Sequence, residues 1–175
     1  MAEDPGSGSG GRRPGAHWFV FFGLAAVIVV LDQVTKAILV ANLDPGQSVA
    51  VIGDWVRLVF SQNSGALFGM FHDQAILFAL ASIGVVGLIV YFHGQSGRSL
   101  YLSIALGLLL GGALGNMIDR VRLGYVVDFV DIGIGSFRWY TFNVADAAIS
   151  TALVMLFALA LVPSLARMAE RPSGG

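Results

Sequence analysis

The sequence predicts an all-α membrane protein of four transmembrane helices, with a small extracytoplasmic β hairpin or cradle and a lid-like loop. Three observations carry that prediction. The 175 residues are 56% hydrophobic and only 12% charged, with a mean hydropathy of +0.78, whereas about a quarter of a soluble domain is charged. Stretches free or nearly free of charge run over 14–31, 74–97, 99–118 and 147–166, each near the roughly 20 residues a helix needs to cross a bilayer. Between them lie short segments rich in β-branched and aromatic residues, punctuated by Gly and Asp.

Residues 1–15, rich in Gly, Ser and Pro, read as a disordered tail. Arg12 and Arg13 before an apolar run could begin a secretory signal peptide, but the run leads into Asp32-Gln33-Val34-Thr35-Lys36 rather than a small-residue cleavage site. The first helix is therefore expected over about 16–41, because its apolar part alone is short. Residues 47–60 carry turn signals at Asp44-Pro45-Gly46 and Gly53-Asp54 and read as a hairpin. It is too small to fold alone and is expected against the helices or the membrane surface, with Trp55 and Phe60 exposed. It sits in a first outer loop of about 42–73, ahead of a second helix over about 74–93.

A third helix is expected over about 99–118. It carries Gly107, Gly111 and Gly115 four residues apart, with Gly112 and Ala113 between, a spacing that lets membrane helices pack closely. The second outer loop, about 119–143, is again strand-like and Gly-punctuated, and with the first could form a lid or platform over the bundle. A fourth helix over about 144–166 completes a four-helix transmembrane domain of 16–167, and 168–175 read as a second disordered tail.

An even number of spans puts both termini on one side. Arg12, Arg13, Arg98, Arg167 and Arg171 fall on the terminal side, and Arg57, Arg120, Arg122 and Arg138 on the other, with Lys36 inside helix one. The positive-inside count is nearly even. The acids are lopsided, with Asp32, Asp44, Asp54, Asp73, Asp119, Asp128, Asp131 and Asp146 all on the non-terminal side. The arginines among them look committed to pairing, so both termini are placed in the cytoplasm.

Asp32, Lys36, Asn63, Asn116, Asp119, Arg120, Asp128, Asn143 and Asp146 thus gather at the outer end of the bundle. Asp32 and Lys36 stand at i and i+4 with the acid first, the favourable order for an intrahelical ion pair. Asn116, Asp119 and Arg120 share a helix face, where Arg120 could neutralise Asp119 or meet a substrate. Asp128 could be a solvated loop residue and Asp146 a helix N-cap. Both also lie beside hydrocarbon without an obvious cationic partner, and acids so placed are functional candidates. Two carboxylates forced together share a proton, so one can take a proton from water while the other donates to a developing oxyanion or leaving group. That is amide hydrolysis without a covalent intermediate.

Five segments, Asp32-Gln33-Val34-Thr35-Lys36, Asn63-Ser64-Gly65-Ala66-Leu67-Phe68-Gly69, Gly111 to Arg120, Gly124-Tyr125-Val126-Val127-Asp128-Phe129 and Phe142-Asn143-Val144-Ala145-Asp146, occur in the order found in bacterial lipoprotein signal peptidase. The chain resembles that family, signal peptidase II, across all four helices. The resemblance implies an aspartic endopeptidase of the inner membrane that cuts prolipoproteins just before the diacylglyceryl-modified cysteine. By residue match, Asp128 and Asp146 form the catalytic dyad. Asn63, Gly65, Asn116, Arg120 and Asn143 surround the substrate, and Asp32, Lys36 and Asp119 support the site. It further implies no cofactor or metal, contact with membrane lipid, and inhibition by globomycin-like cyclic peptides. No nucleic-acid partner is expected.

The main alternative is a carboxylate-dependent proton or ion transporter, which would spread its acids through the membrane's depth and show broken-helix repeats. A serine protease built on Ser64 would need a histidine, and His17 and His93 fall near the opposite face. A scaffold would leave the paired acids unexplained. With no cysteine, and with His17, His72 and His93 scattered, thiol chemistry is excluded and a zinc site is not supported.

Overall fold

The computed structural model of the chain describes residues 15–64, 75–95 and 99–162, without the side chains of 75–79. Within it lie α1 (Ala16–Asn42), β1 (Ser48–Ile52), β2 (Val56–Asn63), α2 (Ala75–Gln95), α3 (Leu100–Leu123), β3 (Val126–Ile134), β4 (Phe137–Arg138) and α4 (Val144–Leu161). Both expected tails, apart from Gly15, and part of the first outer loop lie outside the described residues.

Helices α1, α3 and α4 are long and apolar enough to cross a bilayer, and α2 is apolar over Leu80–Gln95. Their outward side chains are exposed hydrophobics: Phe19, Phe22 and Val27 on α1, Ile83 and Leu88 on α2, Val154 and Phe157 on α4. A helix apolar on every side needs lipid or protein around it. The 27 residues of α1 span about 40 Å at the α-helical rise, more than the roughly 30 Å of hydrocarbon. Its last turns therefore carry Asp32 and Lys36 toward the bundle's polar end.

Helix α3 is the central post, packing against α1, α2, α4 and β3. Phe21 and Ala25 of α1, Ile89 of α2 and Leu106 and Leu110 of α3 form one buried cluster. The glycine spacing works as expected. A Cβ on Gly111 would stand 2.9 Å from the carbonyl oxygen of Ala25, and one on Gly112 2.5 Å from that of Ala145, so only glycine lets α1 and α4 approach this closely. Helix α3 ends at Leu123, five residues beyond the expected 118. Arg120 and Arg122 suit a last turn, where cations meet the negative end of the helix dipole. The stop is Gly124, at φ +81°, whose N–H donates to the carbonyl of Arg120. Hydropathy marks where lipid ends, which is not where the helix ends.

The two outer segments join in one four-stranded antiparallel sheet of order β1-β2-β3-β4. Arg138 chelates Asp131 and donates to the carbonyl of Asp54, while Asp54 pairs with Arg57 and accepts the N–H of Gly135. These bonds tie the two hairpin tips together. The expectation of two exposed aromatics fails for one of them: Trp55 is 63% exposed, but Phe60 is 5% exposed. Phe60 packs with Leu39 of α1 and with Val127 and Phe129 of β3, forming a second core that docks the sheet onto the bundle.

Candidate active site

Asp128 and Asp146 come together because each of their elements is anchored to the other. Asp128 is the third residue of β3, which leaves α3 through only Gly124 and Tyr125. Phe142, just ahead of α4, accepts N–H bonds from Phe129 and Val130 and donates its own N–H to Val130. The start of α4 is thereby laced to β3 beside Asp128.

The alternative that made Asp146 the N-cap of α4 does not hold: Asn143 is the N-cap. Its Oδ1 accepts the N–H of Asp146 at 2.9 Å, and Asp146 Oδ2 accepts the N–H of Asn143 at 3.1 Å. This reciprocal capping box satisfies two otherwise orphaned helix donors. It also fixes the rotamer of Asp146, whose other oxygen accepts from Asn116 Nδ2 at 2.8 Å. Asn143 Nδ2 lies 2.8 Å from Asp128 Oδ1, 3.1 Å from Asn116 Oδ1 and 3.2 Å from the carbonyl of Val127. One residue thus touches both acids, by backbone and by side chain.

Asp128 is 1% exposed, so the solvated-loop alternative is also corrected. Its second oxygen accepts from Asn63 Nδ2 at 3.0 Å. That bond follows from strand register, because Ser61 pairs with Asp128 and Asn63 with Val126, and alternate residues share a sheet face. Burial, and then the Asp146 carboxylate, push the pKa of Asp128 from 3.8 up to about 7. The donors on Asn63 and Asn143 and the charge of Lys36 oppose that rise.

Beneath the two acids lies a buried ion triad. Lys36 Nζ stands 2.7 Å from Asp32 Oδ2 and 2.8 Å from Asp119 Oδ2, and it donates to Asn116 Oδ1 at 3.2 Å. The i,i+4 pair on α1 is as expected. Of the two readings of Arg120, neutralising Asp119 or meeting a substrate, the first role is taken by Lys36. Arg120 donates instead to the carbonyl of Asn116 at 3.4 Å and lies within electrostatic reach of Asp146, Asp128 and Asp119. Asp32 Oδ1 accepts the N–H of Ala145 at 3.0 Å. It reaches α4 because Gly115 leaves room, as a Cβ there would stand 2.7 Å from Asp32 Oδ2. Asp119 Oδ2 accepts the N–H of Val127 at 3.1 Å.

Gln33 is a site residue that sequence reasoning left unassigned. Its amide nitrogen lies 2.9 Å from Asp119 Oδ1 and 3.2 Å from both Asp32 Oδ2 and the carbonyl of Gly115. Its place inside the Asp32–Lys36 segment was the available signal. Gly65 lies outside the described residues. Asn116 and Arg120 also line a concavity of about 290 Å³ between α2, α3 and α4, with Ala81, Ser82 and Ala113 among its walls.

A family model described as Signal peptidase (SPase) II matches residues 24–162. A protein of Rhodococcus jostii named lipoprotein signal peptidase is 40% identical over 168 residues, covering 91% of this chain and 82% of its own. One of Psychromonas ingrahamii with the same name is 34% identical over 93% of this chain and 95% of its own. A solved structure titled as a bacterial membrane enzyme determined by the in meso method at 2.3 Å superposes with a TM-score of 0.76. It is 31% identical, covering 88% of this chain and 94% of that one.

Proposed function

The chain belongs to the signal peptidase II family and is a multi-pass membrane peptidase of the aspartic type, and on that premise we propose that it removes signal peptides from prolipoproteins with Asp128 and Asp146 as its dyad. The carrying observation is Asn143, which donates its backbone N–H to Asp146 and its side-chain N–H to Asp128. It holds two carboxylates together, in line with a raised Asp128 pKa of about 7. Such a pair keeps one proton near neutral pH.

In the proposed reaction the ionised carboxylate takes a proton from water as the oxygen attacks the scissile carbonyl carbon. The protonated carboxyl stabilises the developing oxyanion. Collapse of the tetrahedral species breaks the C–N bond, the leaving nitrogen gains a proton from the dyad, and the pair again holds one. Asn63 and Asn143 keep Asp128 in place, Asn116 keeps Asp146 in place, and Arg120 offsets the charge that builds between them. The cut falls N-terminal to the diacylglyceryl-modified cysteine. Ala81, Ser82 and Ala113 leave room beside Asn116 and Arg120 for substrate side chains, while the lipid stays in hydrocarbon.

The same reading places α1 to α4 as four crossings of the bacterial inner membrane, with both termini cytoplasmic and the sheet and dyad at the extracytoplasmic face. Trp55, Phe137 and Trp139, exposed on the sheet, suit the headgroup region. A globomycin-like cyclic peptide would occupy the same site. Transport is disfavoured because the buried acids gather at one end of the bundle rather than along its depth.

The test is cleavage of a diacylglyceryl-modified precursor by purified protein, beside the unlipidated precursor and the Asp128→Asn and Asp146→Asn variants. Cleavage of the lipidated form alone, by wild type alone, is expected. Turnover by a folded Asn variant would remove that residue from the dyad.

A further inference from the structure

Lys36 makes three polar contacts among the described residues, to Asp32, Asp119 and Asn116, and an ammonium has three donors. None is left over for Asp128 or Asp146. Each contact nevertheless ends at the dyad by one further step. Asp119 accepts the N–H of Val127, the residue before Asp128. Asp32 accepts the N–H of Ala145, the residue before Asp146.

The third contact sets polarity. Lys36 can only donate, so whatever faces it must accept, and the Asn116 side chain must turn its oxygen inward. Its NH₂ is then committed to Asp146. The same oxygen accepts from Asn143 Nδ2, which leaves that amide's nitrogen facing Asp128. The all-donor ammonium therefore orders the Asn116 amide, and Asn143 is held in the matching sense by Asn116 and by its own cap bond to the Asp146 N–H.

We propose that Lys36 is the positioning residue of this site, fixing the backbone ahead of each aspartate through Asp32 and Asp119 and the donor polarity of Asn116. The inference rests on the dyad reading above. Lys36 touches neither substrate nor reacting atoms. Loss of it frees Asn116 to flip and unties the peptide units that aim the dyad, and a displacement near 1 Å costs about 100-fold in turnover.

Removing Lys36 alone leaves two buried, unpaired carboxylates and endangers folding. The decisive variant is therefore the uncharged triple replacement Asp32→Asn, Lys36→Met, Asp119→Asn, compared with Lys36→Met, Asp128→Asn and Asp146→Asn. Each is purified full-length, checked for cooperative thermal unfolding, and assayed on lipidated precursor across pH. In the folded triple variant kcat is expected to fall about 100-fold with KM changed less than about 3-fold. The acid limb of its pH profile should move upward. The charged groups facing the dyad are Asp32 and Lys36 on α1 and Asp119 and Arg120 on α3, and the triple change removes a cation and two anions, of which the cation is bound nearest through Asn116. A folded triple variant with wild-type kcat and pH profile would overturn the inference while inactive Asn variants left the dyad standing. Activity in Asp128→Asn or Asp146→Asn would overturn both.

Discussion

Asn143 does two jobs that substitutions can separate. Its Oδ1 caps α4, worth about 1 kcal/mol, while its NH₂ reaches Asp128. Asn143→Ser should keep the cap and lose the reach, so Tm should stay near wild type while kcat falls on the order of 100-fold. Asn143→Ala should lose both, which paired unfolding and turnover measurements on one preparation would reveal. Asp128 makes a pH prediction. Its folded pKa of about 7 lies above its ordinary 3.8, so between those values the native state binds the extra proton. Stability from this group is full below pH 3.8 and is lost as pH rises through 7. Asp128→Asn removes that titration, and its Tm relative to wild type should improve between pH 5 and pH 8. A Tm difference flat across that range would contradict the raised value. That Asp128 and Asp146 belong to one polar cluster was legible in the sequence, because carboxylates beside hydrocarbon are rare. Their local roles were less so: one alternative made Asp146 the cap of α4, and a residue three positions earlier takes that place, since Asp and Asn are equally good caps and only geometry chooses between them.

At the scale of elements, hydropathy located every helix but misplaced two ends: α3 runs on past the lipid until a left-handed glycine stops it, and α4 stops at Leu161, short of the expected 166. The β pairing could not be read from the sequence, because β2 and β3 are separated by the whole of α2 and α3 and nothing local specifies their register. Phe60 was misjudged for the same reason, as its partners Leu39, Val127 and Phe129 belong to three other segments. The glycines of α3 were legible as packing, yet Gly115 proves to hold space for the Asp32 carboxylate. Gly115→Ala would drive a methyl to 2.7 Å from Asp32 Oδ2 and 3.2 Å from Ala145 Cβ. We expect a loss of about 1–3 kcal/mol together with reduced turnover. Gly84→Ala on α2, where an added Cβ meets nothing within 4 Å, should be neutral or stabilising by up to about 1 kcal/mol. Thermal unfolding of the two variants in one detergent makes the comparison direct, and equal effects would refute it.

For the whole molecule, the polar residues lie where four helix ends and a sheet meet, which lets a hydrolytic site stand at a membrane surface without exposing charge to lipid. The proposed four crossings require that Ala16 of α1 and Leu161 of α4 lie at the same face. Fusions of a periplasm-active phosphatase to either terminus should be silent, whereas insertion at the exposed turn near Gly135 should be active. Activity from one terminal fusion alone would mean an odd number of crossings, and activity from both an inverted orientation. Charge counting could not decide this from the sequence, because Lys36, Arg57, Arg120 and Arg138 are engaged in contacts of the folded outer end and weigh poorly as topological signals.

The order of elements has a consequence for synthesis of the chain. Asp128 arrives on β3, and its partner arrives only on α4, the last element described. Until α4 enters the bilayer, Asp32 has no Ala145 N–H to accept, Asn143 caps nothing, and Asp128 faces no second acid. On the proposed dyad reading, a chain whose last helix has not yet docked would hold only one of its two acids in place and should be unable to cleave. On that reading competence would come in one step, when the final helix docks against Gly112 and Gly115 and brings Asp146 to Asp128.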